Sequence, residues 1–127
     1  MELLHQASNI IIGRDPETNM LICTWIGSQD EKSIKQAGAK MRELFIEYKC
    51  TKILNDNTHV VGTWNHSTHW VSHEWFPQMI EIGLKKFAWV LAIDVFAQVS
   101  AYRVTPGIKV IKNFISKEDA FKWLKQG

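Results

Sequence analysis

Phe87-Ala88-Trp89-Val90-Leu91-Ala92-Ile93 is a run of seven apolar residues closed by Asp94. It shows no polar–apolar alternation and stops at a charge, which reads as a strand covered on both faces and predicts the central strand of the sheet. A strand of that kind needs helices above and below it. Helical periodicity lies on both sides. Upstream, Ile34, Ala37, Met41, Leu44, Phe45 and Tyr48 recur at three- and four-residue spacing through Cys50, with Ser28 or Asp30 placed to cap the helix. Downstream, Ser116 caps a final helix with Asp119 three residues on, and Ala120, Phe121, Trp123 and Leu124 form its apolar side. The expectation is an α/β fold, one domain over residues 1–127, with a mixed sheet of about five strands and helices packed on it.

The remaining elements follow from the same rules. Asn9 to Arg14 and Met20 to Gly27 are β-branched runs separated by Asp15-Pro16-Glu17-Thr18-Asn19, a cluster of turn formers, and predict an antiparallel hairpin at one edge of the sheet. Lys52-Ile53-Leu54-Asn55-Asp56-Asn57 is a strand that loses its apolar character abruptly, and Thr58 to Asn65 reads as a connection. From Ser67 a helical pattern begins with Pro77 inside it, so the helix either kinks or gives way to two shorter ones. Val95 to Thr105 predicts a short helix ended by Pro106-Gly107, and Ile108 to Phe114 the last strand.

Composition narrows the functional classes. Hydrophobic residues at 46% and charged residues at 22% are those of an ordinary globular domain. A net charge of +2 from evenly spread residues gives no footprint for nucleic acid. No run of apolar residues is long enough to span a membrane, and the two cysteines, Cys23 and Cys50, have neither metal-type spacing nor a disulfide framework, which predicts a reduced, cytoplasmic protein.

Chemistry-bearing residues concentrate between positions 56 and 94. His66, His69 and His73 on one helix would fall within an arc of about 60°, a geometry that presents imidazoles to a Zn²⁺-like ion and supports a metal-binding or metal-dependent alternative. Exposed histidines interleaved with tryptophans are the plainer account of the same spacing. Three of the six tryptophans, Trp64, Trp70 and Trp75, lie within twelve residues. Trp70 and Trp75 suit a core, whereas Trp64, beside Gly62 in a connection, is the better ligand- or partner-binding candidate. Asp56 and Asp94 each close a strand and can open onto the crevice at the carboxyl ends of parallel strands, or simply cap a turn and a helix. Ser67 and Thr68 lie near a helix start, where free amides favour a phosphate. No nucleophile–base motif or Gly-rich phosphate loop occurs at a recognised spacing, so the residues assign no catalytic group and no cofactor, and predict a protein that is not an enzyme.

The element order, Lys52-Ile53-Leu54-Asn55-Asp56-Asn57, Trp75-Phe76-Pro77 followed by Gly83-Leu84-Lys85 and the buried strand, and the ending Phe114 through Asp119-Ala120-Phe121-Lys122-Trp123-Leu124 together resemble the SpoIIAA-like branch of the STAS domains. That resemblance covers nearly the whole chain. It implies a small non-enzymatic regulatory, signalling or ligand-sensing module that binds a protein partner or a small apolar ligand and can form homodimers; the aromatic content by itself adds lipid binding as a further alternative. The chain departs from the family in one respect. Anti-sigma-factor antagonists carry a phosphorylated serine, usually in an Asp-Ser step, at the helix after a central strand, and here that strand ends in Asn55-Asp56-Asn57.

Overall fold

The computed structural model describes residues 1–126, so Gly127, the last residue of the expected domain, lies outside the described residues. Six strands form one sheet in the order of the chain: β1 (Glu2–Gln6), β2 (Ile10–Asp15), β3 (Met20–Gly27), β4 (Lys52–Val60), β5 (Lys86–Val90) and β6 (Ile111–Phe114). The first three pair antiparallel and the last four parallel. The sixth strand is β1, which the sequence hides because Glu2 to Gln6 carry no alternation and sit mostly exposed at the edge. The β2–β3 hairpin is therefore internal, covered by β1, rather than an edge of the sheet.

Parallel neighbours require crossovers, and β3 to β6 step one place at a time in one direction. A common right hand then puts every crossover on the same face. Helix α1 (Glu31–Glu47), a helical segment over residues 65–81, and α4 (Val95–Val104) are these crossovers. Their buried residues Met41, Phe45, Phe76, Met79, Ala97 and Ala101 share one core with Ile12, Cys23, Ile53, Phe87 and Trp89. The alternate strand residues Met20, Ile22, Leu54, Ala88 and Val90 face the other way, under α5 (Lys117–Lys125), through Ala120 and Leu124. Two lysines in register on adjacent strands hold α5 there. Lys52 Nζ donates to the carbonyl of Leu124 at 2.5 Å, and Lys86 Nζ to those of Trp123 at 3.2 Å and Gln126 at 2.6 Å, placing cations at the negative end of the helix.

Phe87 to Val90 are covered on both faces, but β5 stops at Val90 and lies one place from the sheet's edge; β3 and β4 are central. Its pairing ends with β6 at Phe114, so Leu91 to Ile93 leave the sheet, and Ile93 is 77% exposed. Strand β4 runs on to Val60, beyond the expected end at Asn57, because after a register shift His59 and Val60 still pair with Ile26 and Gly27 of β3, and Val60 returns to the larger core. The last strand begins at Ile111 rather than Ile108, since Ile108 to Ile111 form a turn closed by an Ile111 N–H to Ile108 carbonyl bond of 3.2 Å.

Helix α1 starts at a capping box in which Asp30 accepts from the Ser33 amide and Ser33 Oγ accepts from the Asp30 amide. It ends before Cys50: Lys49 takes φ 54° and the Cys50 amide bonds back to the Phe45 carbonyl, a Schellman turn with lysine where glycine is usual. The segment around Pro77 changes its winding along its length, with two short helices joined by a π-turn. It runs through a 3-10 turn (Asn65–Ser67), one α-turn (α2, Thr68–Trp70), a π-turn (Val71–Trp75) and helix α3 (Phe76–Glu81). The wide turn sits just before the proline, where the ring would otherwise meet the carbonyl four residues back, and leaves Pro77 in the first turn of α3.

Candidate functional site: a tryptophan-lined cavity

Between the sheet and the helical segment lies a half-open cavity of about 50 Å³, walled by five tryptophans, Trp25, Trp64, Trp70, Trp75 and Trp89. Strand periodicity delivers two of them. Trp25 follows Cys23 on the inner face of β3, and Trp89 follows Phe87 on that of β5. Asn55, paired with Trp89 in register, and Asn57 reach the same face from β4. The helical segment brings Trp70 and Trp75 down against α1 at Gly38. A Cβ at Gly38 would stand 3.1 Å from Trp70 Cη2 and 3.1 Å from Trp75 Cδ1, and Trp75 Nε1 donates to the Gly38 carbonyl at 2.9 Å. Trp70 is the one wall residue that is not buried, so the opening lies beside it, under Lys35 Nζ at 5.9 Å from the ring.

The walls pack ring against ring. Trp64 and Trp89 stack with centroids 5.9 Å apart and planes at 24°. Phe87 meets Trp89 edge-on at 5.4 Å, and Phe76 meets Phe87 at 4.8 Å. Each such pair contributes about 0.5–1.5 kcal/mol beyond its buried area. The polar atoms form a chain of fixed direction. Trp25 Nε1 donates to Asn55 Oδ1 at 2.8 Å, which orients that amide so that Asn55 Nδ2 donates to Asn57 Oδ1 at 3.1 Å. None of the wall residues is titratable.

The residues singled out in the sequence fall in several places. Trp64 is at this cavity, and it is only 5% exposed despite its position in a connection. Helix α4 buries it. The Trp64 amide donates to Ser100 Oγ at 2.9 Å, and Ser100 Oγ donates to Asn65 Oδ1. Asp94 stands outside the cavity and acts on the same connection: its carboxylate accepts from the Gly62 amide at 2.9 Å and the Phe96 amide at 2.8 Å. Those two amides, Gly62 first, hold its pKa below the ordinary aspartate value. Asp56 points to the opposite face of the sheet from Asn55 and Asn57 and accepts from the Thr58 amide and hydroxyl, so the two aspartates do not share a crevice.

Ser67 is fully buried and bonded to His66, while Thr68 Oγ1 donates to the Asn65 carbonyl. The three-histidine arrangement is corrected by the winding of the segment. His66 lies in the 3-10 turn and reaches the Gln29 carbonyl at 3.2 Å, whereas His69 and His73 stack on one another at 4.1 Å across the π-turn. Among the described residues no group of three or more His, Cys, Asp or Glu side chains is placed to hold a metal ion. Cys23 and Cys50 are free thiols, both pushed up in pKa by burial. Among the described residues no helix is long and apolar enough to cross a membrane.

A crystal structure at 2.25 Å of an uncharacterized DUF3478-family protein from Shewanella loihica PV-4, described as having a SpoIIAA-like fold, superposes with a TM-score of 0.58 over 95% of this chain and 98% of the other, at 21% identity. The chain has a SpoIIAA-like fold. No protein-family model matches the sequence, and no curated protein matches it either. Within this SpoIIAA-like frame, Trp25, Gly38, Asn55, Asn57 and Trp89 are the site residues that motif reasoning passes over. The signal for Asn55, Asn57 and Trp89 was the two-residue period of their strands, which places them beside Ile53 and Phe87 on one face.

Proposed function

We infer that this chain is a non-enzymatic binding module that holds a small uncharged ligand in the tryptophan-lined cavity. One observation carries the reading: a half-open, aromatic cavity with a few oriented amide and indole groups and no titratable side chain in its wall. That is the make-up of a ligand site, apolar with few polar groups, and it offers neither a nucleophile nor an acid–base pair. We read the module as a regulatory one that senses a ligand, and its two free thiols favour a reducing, cytoplasmic setting.

The test is a tryptophan-fluorescence and thermal-shift screen of untagged protein against small neutral ketones, amides and alcohols, run beside Val71→Phe, which fills the cavity from the helical segment. Binding by the wild type that disappears in a stably folded Val71→Phe protein supports the reading. Binding that survives the substitution, or no binding by the wild type, overturns it.

A second reading is self-association through the start of α4, where Ile93, Val95, Phe96, Val99 and Tyr102 are exposed at 77%, 65%, 70%, 42% and 51%. Light scattering across a concentration series decides it. A dimer mass lost in Phe96→Ser supports this reading, and a monomer mass throughout removes it.

A further inference from the structure

We propose that the outward face of α4 is a dimer interface, on which a second copy of this chain lays its own α4 antiparallel, with Val99 on the two-fold axis. The inference rests on the self-association reading and specifies its arrangement. The helix is built inside out. At about 100° per residue, Val95, Phe96, Val99, Tyr102 and Arg103 fall within an arc of about 120° centred on Val99, and all five are exposed. The smaller residues Ala97, Ser100, Ala101 and Val104 take the opposite side and are buried. Gln98, on the flank, is turned back to the Ala92 carbonyl at 2.7 Å. An ordinary surface helix buries its large apolar residues and exposes charges, as α1 does with Met41 and Phe45 inside and Lys35, Glu43 and Glu47 outside. Helix α4 is apolar on both sides, the mark of a helix that is covered on both.

The face is self-complementary. In a two-fold contact residue i meets j and j meets i, so a crossing at Val99 sets Phe96 of each copy against Tyr102 of the other. Arg103 is the only charge on the face, and it forms no ion pair among the described residues. Asp94 stands at the other end of the helix, where its carboxylate accepts from two amides and keeps lone pairs for a further donor. Helix α4 is about 15 Å long, so antiparallel pairing carries Arg103 of each copy to the start of the other's helix, where Asp94 lies. The symmetry forms that charge pair twice. A parallel pair would set Arg103 against Arg103.

A membrane surface is the other apolar occupant, and the charge pattern argues against it. Helices that lie on membranes are rich in Lys and Arg, whereas Val95 to Tyr102 carry none and a carboxylate closes the start of the stripe. Opposite charges at the two ends of one apolar stripe are what a two-fold pair of the same helix requires of a single sequence. Size sets the strength. A helix face about 15 Å long and about 10 Å wide is smaller than the about 800 Å² per partner of a standard interface, so the dimer is expected to dissociate in the micromolar range.

The test joins sedimentation equilibrium to disulfide trapping in the intact, untagged chain. From about 10 µM to about 1 mM the wild type should pass from monomer to dimer. Under mild oxidation Val99→Cys should cross-link to itself, because a disulfide spans only about 4.4–6.8 Å between Cα atoms and a residue on the axis meets its own copy. Phe96→Cys and Tyr102→Cys should each stay single alone and join when mixed. Cys23 and Cys50 are buried and supply no competing thiol. Arg103→Glu should weaken association about tenfold, and Arg103→Lys about threefold at most, since two charge pairs are altered in each dimer. A monomer throughout overturns the self-association reading and this inference together, and one that sediments with phosphatidylserine vesicles puts a lipid surface in their place. A dimer in which Val99→Cys does not cross-link, in which Phe96→Cys cross-links to itself, or which Arg103→Glu leaves as strong, overturns the antiparallel arrangement and leaves self-association standing. All four substituted side chains are exposed, so the variants leave the core intact, and the wild-type series decides the first question without them.

Discussion

Trp25→Phe and Trp89→Phe should have opposite polar consequences although they remove the same ring atoms from the same cavity wall. The transfer and cavity cost common to both, about 1–2 kcal/mol for a truncation of this size, cancels when the two are compared. In Trp25→Phe the buried Asn55 Oδ1 loses the indole donor at 2.8 Å, adding about 1–3 kcal/mol. In Trp89→Phe a donor with no partner is deleted, which returns a similar amount. The expectation is that Trp25→Phe is about 2–5 kcal/mol less stable than the wild type, while Trp89→Phe stays within about 1 kcal/mol of it. With an unfolding entropy near 2.1 cal/mol/K per residue, a gap of about 2 kcal/mol over 127 residues is about 7 °C in Tm. Urea unfolding at neutral pH, followed by far-ultraviolet circular dichroism because tryptophan emission is itself altered, measures both variants. Equal m-values show that the unfolded states compare. Trp89→Phe as destabilising as Trp25→Phe would refute the reasoning about the unpaired indole.

Lys49→Gly should stabilise the protein by about 1 kcal/mol, since glycine occupies the positive-φ turn after α1 without a Cβ penalty; an unchanged urea midpoint would contradict this. Lys86→Met should cost about 1.5 kcal/mol by releasing the carbonyls of Trp123 and Gln126, and amide exchange should speed up in α5 before any other helix. Asp94 contributes stability that is present above its ordinary aspartate pKa of 3.8 and is lost as pH falls through its lowered folded value, so the urea midpoints of wild type and Asp94→Asn should converge on acidification below about pH 4. A gap that is constant down to pH 2 would rule that out. Added Zn²⁺ or EDTA should leave Tm within about 1 °C, because His66 is turned away from His69 and His73. A zinc-dependent rise abolished by His66→Ala as well as by His69→Ala would contradict the separation of His66 from the other two.

Much of the fold was legible because it rests on local periodicity. The amphipathic spacing of Ile34 to Phe45, the caps at Asp30 and Ser116 and the apolar run ending at Asp94 each specify an element without reference to distant residues. Strand β1 was not legible, because an edge strand with one half-buried face needs no alternation, and its existence depends on β2 offering a free edge. The position of β5 was misread for a related reason: burial on both faces is equally the property of a penultimate strand, and strand order is set by crossover direction.

The candidate site divides along the same line. The sequence by itself determined the element types, the aromatic richness and the absence of a recognised catalytic spacing. It also contained the two-residue period that sets Asn55 and Asn57 opposite Asp56. Only the tertiary structure decided which aromatic residues share a cavity. Trp25, Asn55 and Trp89 come from three strands and meet through pairing register, Trp64 is buried by α4, and Trp75 reaches the wall because Gly38 lets it touch the backbone of α1. The separation of His66 from the His69–His73 stack, itself the ordinary i,i+4 spacing of a helix, was likewise decided by the 3-10 turn that carries His66 to the Gln29 carbonyl. Local spacing is a property of the chain, whereas the partner of a buried polar atom is a property of the packed molecule, and the unpaired indole of Trp89 is visible only there.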